Sequence, residues 1–301
     1  MSAPSAVLRA EGLGRKYRRL WALSDCTLDV PAGKVVGLVG PNGAGKTTLL
    51  SMAVGMLRPT TGTIEVLGGR PGDGPEQLAR VGYVAQDTPT YAGLTVEDHL
   101  RLGRHLNPRW DDALARDRIA RLGVDPARKA SRLSGGQRAQ LALTLGIAKR
   151  PDLLVLDEPV ASLDPLARRE FLQDLMEAVA EQEVSVILSS HLVSDLERVC
   201  DHLIVLVDSR VRVAGDIDDL LAGHHRLTGP RRDPASLPAA LHVVTESHTD
   251  VQSTLVVRAD GPVLDPAWAV SELSLEDLVL AYMSGSKTVD RGRRAPLEVL
   301  S

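Results

Sequence analysis

The chain has 301 residues, of which 44% are hydrophobic and only 3% are aromatic, so a sizeable core can form from aliphatic side chains. Its formal net charge of −4 argues against broad electrostatic binding to nucleic acid, which needs a basic face. The two cysteines, Cys26 and Cys200, lack disulfide or zinc-site spacing and fit a reducing compartment. Because the sequence has no signal-like apolar core and no uncharged apolar run of ~18 residues, we expect neither a secretion signal nor a membrane-spanning helix.

The first part of the chain predicts strands arranged around one helix. Alternating segments within residues 7–29 predict antiparallel strands that are half buried. The continuous apolar run at 35–39 predicts a strand buried on both faces. A glycine-rich loop and a helix over about 45–54 follow it, and further short strands are predicted at 61–69 and 82–85.

Residues 95–150 have helical periodicity instead, with breaks at Asn107–Pro108 and Asp125–Pro126. Strand-like runs then return and alternate with helical segments, which is typical of a mostly parallel sheet with crossover helices. We therefore predict a first domain over residues 1–222 that contains a helical subdomain at about 87–150.

The composition changes after Gly223, where a passage rich in proline and arginine marks a predicted boundary. Two strand-like segments and a helix that starts at Ser274 predict a small α+β extension over residues 223–283. Residues 284–301 have mixed charge and no clear period, which predicts a loosely ordered tail. Residues 223–301 contain no motif, so a regulatory or dimer-stabilising module and a simple packing extension both stay open.

The residues from Gly40 to Thr47 match the phosphate-loop pattern G-x-x-x-x-G-K-[ST]. A buried strand precedes the loop and a helix follows it, so backbone N–H groups and the helix dipole can bind phosphate oxygens. Lys46 supplies a charge for the β- and γ-phosphates, and the Thr47 hydroxyl can reach Mg²⁺. The alternative, a glycine turn with an incidental lysine, is disfavoured because pattern and setting agree.

Two acids follow a second buried strand. Asp157 ends the apolar run 153–156 and Glu158 comes next, so both lie at the carboxyl end of a central strand, beside a phosphate crevice. We expect Asp157 to hold Mg²⁺, through water, and Glu158 to polarise a water for in-line attack on the γ-phosphate. By itself, an Asp-Glu-Pro sequence is often only a solvated strand end; the phosphate loop favours the catalytic role.

Six motifs occur in one order: GPNGAGKTT (40–48), Gln86 in YVAQD, LSGGQ (133–137), LLVLDEP (153–159), SLDP (162–165) and SSH (189–191). In this order they closely resemble the ATP-binding cassette (ABC) family, and the resemblance covers about residues 7–222. It implies an α/β P-loop NTPase fold with a mostly parallel sheet core, an antiparallel β-subdomain and a helical subdomain. It also implies that ATP and Mg²⁺ are the cofactors, with no other metal.

The resemblance assigns further roles residue by residue. Tyr17 would stack on adenine, Gln86 would reach Mg²⁺ and the attacking water, and His191 would contact the γ-phosphate. Asp164 would link two active sites across a dimer. Taken alone, each of these residues has a simpler interpretation, such as a surface glutamine or a hydrogen-bonded histidine. The loop residues assigned to the nucleotide are Asn42, Gly43, Ala44, Gly45, Lys46, Thr47 and Thr48.

LSGGQ adds a second glycine-bearing helix start, although residues 40–48 already provide a phosphate loop. Ser134 and the bare Gly135 and Gly136 leave N–H groups and a positive dipole end accessible. The resemblance implies that these residues and Gln137 close over ATP held by a second cassette, in a homodimer or with another cassette. The simpler alternative is a capped helix start with a flexible turn.

The resemblance implies an ATPase subunit at the cytoplasmic face of a bacterial membrane that drives polytopic permease subunits. Residues 87–132, chiefly 87–104, would contain the docking surface. Residues 107–111 and 274–283 resemble exporter-type cassettes for drugs, antibiotics or lipids. The alternative is a non-transport ABC ATPase that acts on ribosomes or DNA; the single uninterrupted cassette and the net charge disfavour it and any nucleic-acid partner. An intact Glu158 and His191 disfavour a regulator without turnover.

Overall fold

The computed structural model describes residues 6–87, 90–231, 238, 240–259, 261–263 and 265–289, except the side chains of 285–289. The chain divides into two compact units, Met1–Val211 and Arg212–Ser301. The sequence predicts this division later, between 222 and 223, and that assignment of domains, with its helical subdomain at 87–150, stays a prediction.

The first unit contains nine strands, seven α-helices and one short 3-10 helix among the described residues, and its last strand continues into the second unit. In chain order the strands and α-helices are β1 (Ala6–Tyr17), β2 (Leu20–Pro31), β3 (Val35–Val39), α1 (Lys46–Ala53), β4 (Thr61–Val66), α2 (Gly74–Arg80), β5 (Val81–Val84), α3 (Val96–Leu106), α4 (Asp112–Arg121), α5 (Gly135–Ala148), β6 (Leu153–Asp157), α6 (Pro165–Gln182), β7 (Ser185–Ser190), α7 (Val193–Leu196), β8 (His202–Val207) and β9 (Arg210–Asp216).

The central sheet has the strand order β5-β6-β7-β3-β8-β9, and the first five of these strands pair in parallel. Every residue of β3, β6 and β7 is buried, as their continuous apolar runs predict. These three strands are neighbours, so the loops at their carboxyl ends meet at one edge of the sheet. A smaller antiparallel sheet, in the order β2-β1-β4, packs its apolar face into the same core.

The predicted helical insert contains α3, α4 and α5, which bury a core of their own. A capping box between Thr95 and Asp98 begins α3, and the side chain of Asp111 caps α4. Asp111 is also paired with Arg150 at 2.6 Å, which ties the start of α4 to the end of α5. This combination of parallel sheet, antiparallel sheet and helices confirms the predicted fold class.

The second unit contains α8 (Ile217–Ala222), β10 (His224–Pro230), β11 (Leu241–His248), β12 (Gln252–Ala259), β13 (Ala269–Ser271) and α9 (Leu275–Val289). The sequence predicts β11, β12 and the terminal helix, but not β10 and β13. β10 lies between β12 and β13 in an antiparallel sheet and is aligned along its whole length with β12. Partner strands therefore override its weak local pattern, in which Leu227 is the main apolar residue.

The end of α9 differs from the predicted tail. The helix continues to Val289, so residues 284–289 are helical where a loose segment is predicted, because a helix extends readily once it is nucleated. Residues 290–301 lie outside the described part of the chain. Among the helices that the structure describes, we find none with the length and apolarity needed to cross a bilayer.

Candidate functional site

The loop after β3 bends sharply into α1. Gly45 is the N-cap of α1 and has a φ of 107°, and a Cβ at this position would collide with the carbonyl oxygen of Ala22. Lys46 Nζ donates to the Gly40 carbonyl oxygen at 2.8 Å, so the side chain folds back over its own loop. Since Gly45 has no side chain to act as a cap, the first N–H groups of α1 can bind an external anion.

The Glu158 carboxylate contacts two other predicted site residues, Lys46 and His191. One of its carboxylate oxygens lies 3.1 Å from Lys46 Nζ, and the other lies 3.1 Å from His191 Nδ1. Lys46 and Glu158 are almost completely buried, whereas the side chain of His191 is 43% exposed. These residues follow the neighbouring strands β3, β6 and β7, which explains how distant parts of the chain form one cluster.

Ser189 belongs to the SSH motif, and although the sequence alone assigns it no role, it organises both acids. Ser189 Oγ donates to Asp157 Oδ1 at 2.7 Å and accepts from the Glu158 backbone N–H at 2.8 Å. The second bond helps to hold Glu158 in the left-handed region, at a φ of 46°. The sequence signal for Ser189 is the pair of serines that ends the buried strand β7, and Ser189 lies directly across from Asp157 in the register.

Asp157 is 1% exposed, and its Oδ2 has no hydrogen-bond partner among the described residues. A buried carboxylate oxygen normally has a partner, so this atom is available to a cation or to water. Thr47 and Thr48 lie in the first turn of α1, which follows β3, and β7 separates β3 from the strand that ends at Asp157. The Asp157 carboxylate and the threonine hydroxyls at this edge of the sheet offer oxygen atoms, which Mg²⁺ prefers.

Gln86 lies apart from this cluster, just after the edge strand β5. It lines a cavity of about 310 Å³ with Gly135 and Leu163, rather than sharing a described hydrogen bond with Asp157 or Glu158. The structure therefore places Gln86 between the central sheet and the start of α5.

Tyr17 ends β1 on the hairpin formed with β2, and the residue is 43% exposed. The guanidinium of Arg15 lies 4.9 Å from the ring centroid, within cation–π range. The hairpin also exposes Trp21, 39% of which is accessible and which Lys16 approaches at 5.2 Å. Exposed aromatic rings at this hairpin are available to a planar ligand.

The LSGGQ segment forms a capped helix start. Ser134 Oγ accepts from the Gln137 backbone N–H, and Gln137 Oε1 accepts from the Ser134 N–H, each at 3.1 Å. In the described part of the chain, these bonds join the two residues to each other and not to the loop that holds Lys46. Gly135 is exposed, its φ is outside the left-handed region, and a Cβ there would find only Leu163, at 3.9 Å.

Asp164 begins the helix next to this segment. Its Oδ1 accepts from the backbone N–H groups of Leu166 and Ala167 at 3.1 and 3.0 Å, which makes it the N-cap of α6. A Cβ added to Gly136 would lie 3.1 Å from Ala167 Cβ, so the starts of α5 and α6 are adjacent. Asp164 itself is exposed.

A buried acid connects the start of α6 to the helix after His191. Arg168 Nη2 donates to the Leu163 carbonyl oxygen at 3.3 Å, and its Nε lies 3.9 Å from Asp195 Oδ2. Burial raises the pKa of Asp195, and the Arg168 charge opposes this rise. Arg168 and Asp195 stand outside the sequence motifs, so no local pattern predicts their contact.

Comparison with known proteins gives consistent matches. A family model described as ABC transporter matches residues 23–161. The thiamine import ATP-binding protein ThiQ of Salmonella choleraesuis is 35% identical, over 65% of this chain and 86% of that protein. The Nod factor export ATP-binding protein I of Ralstonia nicotianae is 33% identical, over 71% of this chain and 68% of that protein. A solved structure, titled as the ATP binding subunit of an ABC transporter, covers 72% of this chain and 92% of its own, with 30% identity and a TM-score of 0.64.

Proposed function

The chain belongs to the ATP-binding subunits of ABC transporters, and from this premise we propose that two cassettes share each ATP and drive a separate membrane permease. ATP hydrolysis coupled to transport is the general activity of this family, so the chain is an ATPase that binds ATP. The proposal concerns the role of each residue in ATP binding and hydrolysis, and the kind of compound that is transported. Its main support is Gly135, because its backbone conformation and its neighbours in the described part of the chain would accommodate a Cβ.

The phosphates bind in the loop of residues 40–48, with the N–H groups of α1 and the Lys46 ammonium as ligands. Lys46 now pairs with Glu158, and phosphate oxygens compete with that carboxylate for the same charge. When Lys46 turns to the phosphates, Glu158 is free to accept a proton from water. It then acts as the general base for in-line attack on the γ-phosphate.

The residues near Asp157 fit Mg²⁺. The unpartnered Oδ2 of Asp157 and the Thr47 hydroxyl are oxygen donors of the kind that a hard cation requires, and the Gln86 amide oxygen, which lies apart from them in this structure, would have to move in to join them. When bound, Mg²⁺ would neutralise charge on the β- and γ-phosphates. Ser189 orients Asp157 for this purpose by donating to its other oxygen.

His191 and Tyr17 complete the contacts within one protomer. The His191 ring is held by Glu158 and is partly exposed, so it can donate to a γ-phosphate oxygen without leaving the cluster. Tyr17 offers an exposed ring for stacking on adenine, which is worth about 1–3 kcal/mol and needs only a π-face.

The second cassette contributes residues 134–137. A Cβ at position 135 would violate neither the backbone conformation nor the packing of the described part of this protomer, so we infer that its absence serves a ligand that approaches from outside. The N–H groups at the start of α5 and the Ser134 hydroxyl then bind the γ-phosphate of the facing cassette. Asp164 lies at the same surface and links the two sites. ATP therefore favours closure, and loss of the γ-phosphate favours opening.

The permease supplies the membrane path, and this chain associates with the cytoplasmic face through it. We propose export of a drug, antibiotic or lipid, with support from the exporter-like residues 107–111 and 274–283 and from the Nod factor export relative. Import is a second candidate because ThiQ is an import protein. Within this proposal, residues 1–222 form the cassette and residues 223–283 a separate module.

A mixing experiment tests the shared site. Lys46→Ala and Ser134→Arg protomers should each be nearly inactive alone. An equal mixture should recover about a quarter of wild-type ATPase activity, since half of random dimers are mixed and each mixed dimer has one intact site. Full activity of either variant alone, or a mixture no more active than its components, would contradict the proposal.

The direction of transport and the identity of the membrane partner are tested by a transport assay. We would reconstitute the cassette with the membrane protein from the neighbouring reading frame in inverted vesicles and supply labelled antibiotics, drugs and lipids. ATP-driven accumulation inside supports export, and ATP-driven depletion supports import. Co-sedimentation with ribosomes, without stimulation of the ATPase by the membrane protein, would favour the non-transport alternative.

A further inference from the structure

The turn between β1 and β2 carries a concentration of positive charge, and we call residues 15–21 the basic hairpin. Residues 12–24 contain four arginine or lysine residues and no aspartate or glutamate. Residues 16–21 are all exposed. Tyr17 has a proposed role in stacking on adenine, but the proposed function gives none to the exposed cations Lys16, Arg18 and Arg19.

These three cations are not neutralised within the described part of the chain. Arg18 and Arg19 make no hydrogen bond or ion pair there, and the Lys16 ammonium contacts the ring of Trp21, 5.2 Å from its centroid. The first acid along β2 is Asp25, which lies 3.7 Å from Arg210. Because the whole chain has a net charge of −4, the field at the basic hairpin has the opposite sign to that of the protein as a whole.

The basic hairpin lies close to the loop of residues 40–48. A Cβ on Gly45 would collide with the carbonyl oxygen of Ala22, so β2 contacts this loop directly after the hairpin. Lys16 pairs in the register with Trp21, the residue before Ala22, and such partners have Cα atoms about 4.5–5.5 Å apart. The Cα atom of Lys16 is therefore within about 10 Å of that of Ala22, and Arg19, three residues away along the strand, is at a similar distance.

This distance is short enough for the charges to act on a nucleotide before it touches the protein. At about 0.1 M salt the Debye length is about 10 Å, and it is longer in more dilute salt. ATP is an anion, so the net negative charge of the chain repels it at long range, whereas cations beside the loop attract it. Attraction of this kind raises the association rate constant of a charged ligand.

We propose that Lys16, Arg18 and Arg19 steer nucleoside triphosphates electrostatically into the phosphate loop and thereby set the rate at which ATP associates. The cations act through the field and not through contact with the bound nucleotide. This inference rests on the proposed function in one respect, namely that the phosphates bind at residues 40–48.

The apolar side chains of the basic hairpin offer another interpretation, in which it contacts an anionic lipid surface. The Trp21 ring, however, packs over Gly14, where an added Cβ would lie 3.0 Å from it, and Lys16 approaches the same ring. Leu20, which is 78% exposed, is the apolar residue that projects furthest. Interfacial binding scales with the apolar area that enters the bilayer, so one such side chain favours the nucleotide over the lipid.

The test is stopped-flow association of N-methylanthraniloyl-ATP and magnesium with the full chain carrying Lys16→Gln, Arg18→Gln and Arg19→Gln together. At about 10 mM ionic strength the association rate constant should fall about fivefold, and at about 300 mM it should fall less than about twofold, because salt screens the charges. The dissociation rate constant should stay within about twofold of the wild type. An unchanged association rate constant at low ionic strength would overturn the proposal. So would a change confined to dissociation, which would indicate direct contact with the bound nucleotide.

Two control variants separate the local charge from other effects. Exchanging lysine for arginine and arginine for lysine at the same three positions keeps the charge, and this variant should associate at the wild-type rate. Arg70→Gln, Arg169→Gln and Arg198→Gln together remove three exposed cations elsewhere and should change the rate less than about twofold. Equal slowing by this second variant would show that net charge alone sets the rate and would contradict steering by the basic hairpin.

Sedimentation with vesicles that contain about 30% phosphatidylserine tests the lipid interpretation. Vesicle binding that the Lys16, Arg18 and Arg19 variant loses, with an unchanged association rate constant for the nucleotide, would assign the basic hairpin to a lipid surface and overturn the proposal. The phosphate site itself is judged separately. Wild-type nucleotide affinity in Lys46→Ala would contradict the proposed function, whereas the rate in the hairpin variant tests steering.

Discussion

A glycine stands at the start of both α1 and α5, since Gly45 is the N-cap of α1 and Gly135 is the first residue of α5, but the reasons for the two glycines differ. At the start of α1, Gly45 has a φ of 107° and passes close to the Ala22 carbonyl, so the chain itself requires it. At the start of α5, Gly135 has an ordinary helical conformation, and an added Cβ would make only a van der Waals contact with Leu163, at 3.9 Å.

This difference separates a site that one chain completes from a site that it leaves open. Lys46 is buried and bonded to its own loop, so the α1 site is formed before any partner arrives. Ser134 and Gln137 satisfy each other in a capping box and leave the surface at Gly135 accessible. A glycine without a local purpose therefore points to a ligand or chain outside the protomer.

The largest effect should come from Glu158→Gln, which removes the base but keeps the shape of the α1 site. ATP hydrolysis should fall by about 10²–10⁴-fold, the usual contribution of a general base, while ATP binding persists. The dimer should accumulate with ATP, as measured by sedimentation. The exposed Glu181→Gln on α6 is the matched control and should hydrolyse ATP normally. A monomer with full ATPase activity would show that Glu158 is not the base.

The glycines themselves give the next comparison. Gly45→Ala should destabilise the chain by about 1–3 kcal/mol, because alanine is strained at positive φ and the added carbon meets a carbonyl. Gly135→Leu should leave the unfolding free energy unchanged within about 1 kcal/mol, since leucine is a good helix former. It should nevertheless abolish ATP-driven dimerisation. Equal losses of stability in denaturant titrations would remove the distinction between the two helix starts.

A smaller effect is expected at Arg168, which connects the segment before Asp164 with the helix that follows His191. Arg168→Gln breaks the link between Leu163 and Asp195, and turnover should fall by about three- to tenfold through misplacement of Asp164 and His191. The KM for ATP should not change, because the phosphate loop is intact. Arg168→Lys keeps the charge and should recover part of the rate. A rise in KM with an unchanged kcat would indicate a different role for Arg168.

The smallest effect concerns the second unit. Burial lowers the pKa of His224, whose ring contacts the Leu220 carbonyl oxygen and the Tyr282 hydroxyl. The unfolded state then binds a proton more readily than the folded one, so stability is lost as the pH falls through about 6.5. Hydrogen exchange in β10 and α9 should accelerate below this pH, and His224→Asn should reduce the acceleration. Exchange that is independent of pH, after correction for the chemical rate, would argue against this role.

The sequence predicts the parts of the site that depend on short-range patterns. The buried strands, the phosphate loop and the capped start of α5 each have a local signal, and the sheet then brings Lys46, Glu158 and His191 together. Ser189 was harder to find, because its importance depends on which strand lies beside Asp157.

Long-range packing explains the features of the structure that the sequence does not predict. The strand β10 exists because β12 and β13 flank it, and a cavity lined by Arg118 exists because the helices α4, α5 and α6 meet there. Neither neighbour relation is encoded in a local run of residues. The Arg168–Asp195 contact is similar, since it joins segments that no motif connects.

Disulfide cross-linking between two cysteine variants tests directly whether residues 134–137 of one protomer close over the nucleotide of another. In a Glu158→Gln background, one preparation would carry Asn42→Cys and the other Gly135→Cys, so a bond between positions 42 and 135 can only join two protomers. We predict that mild oxidation yields a covalent dimer with magnesium and ATP, and little without nucleotide. If saturating ATP leaves both cysteines reactive towards a soluble thiol reagent and the chains monomeric, the residues at 134–137 do not close on another copy's nucleotide.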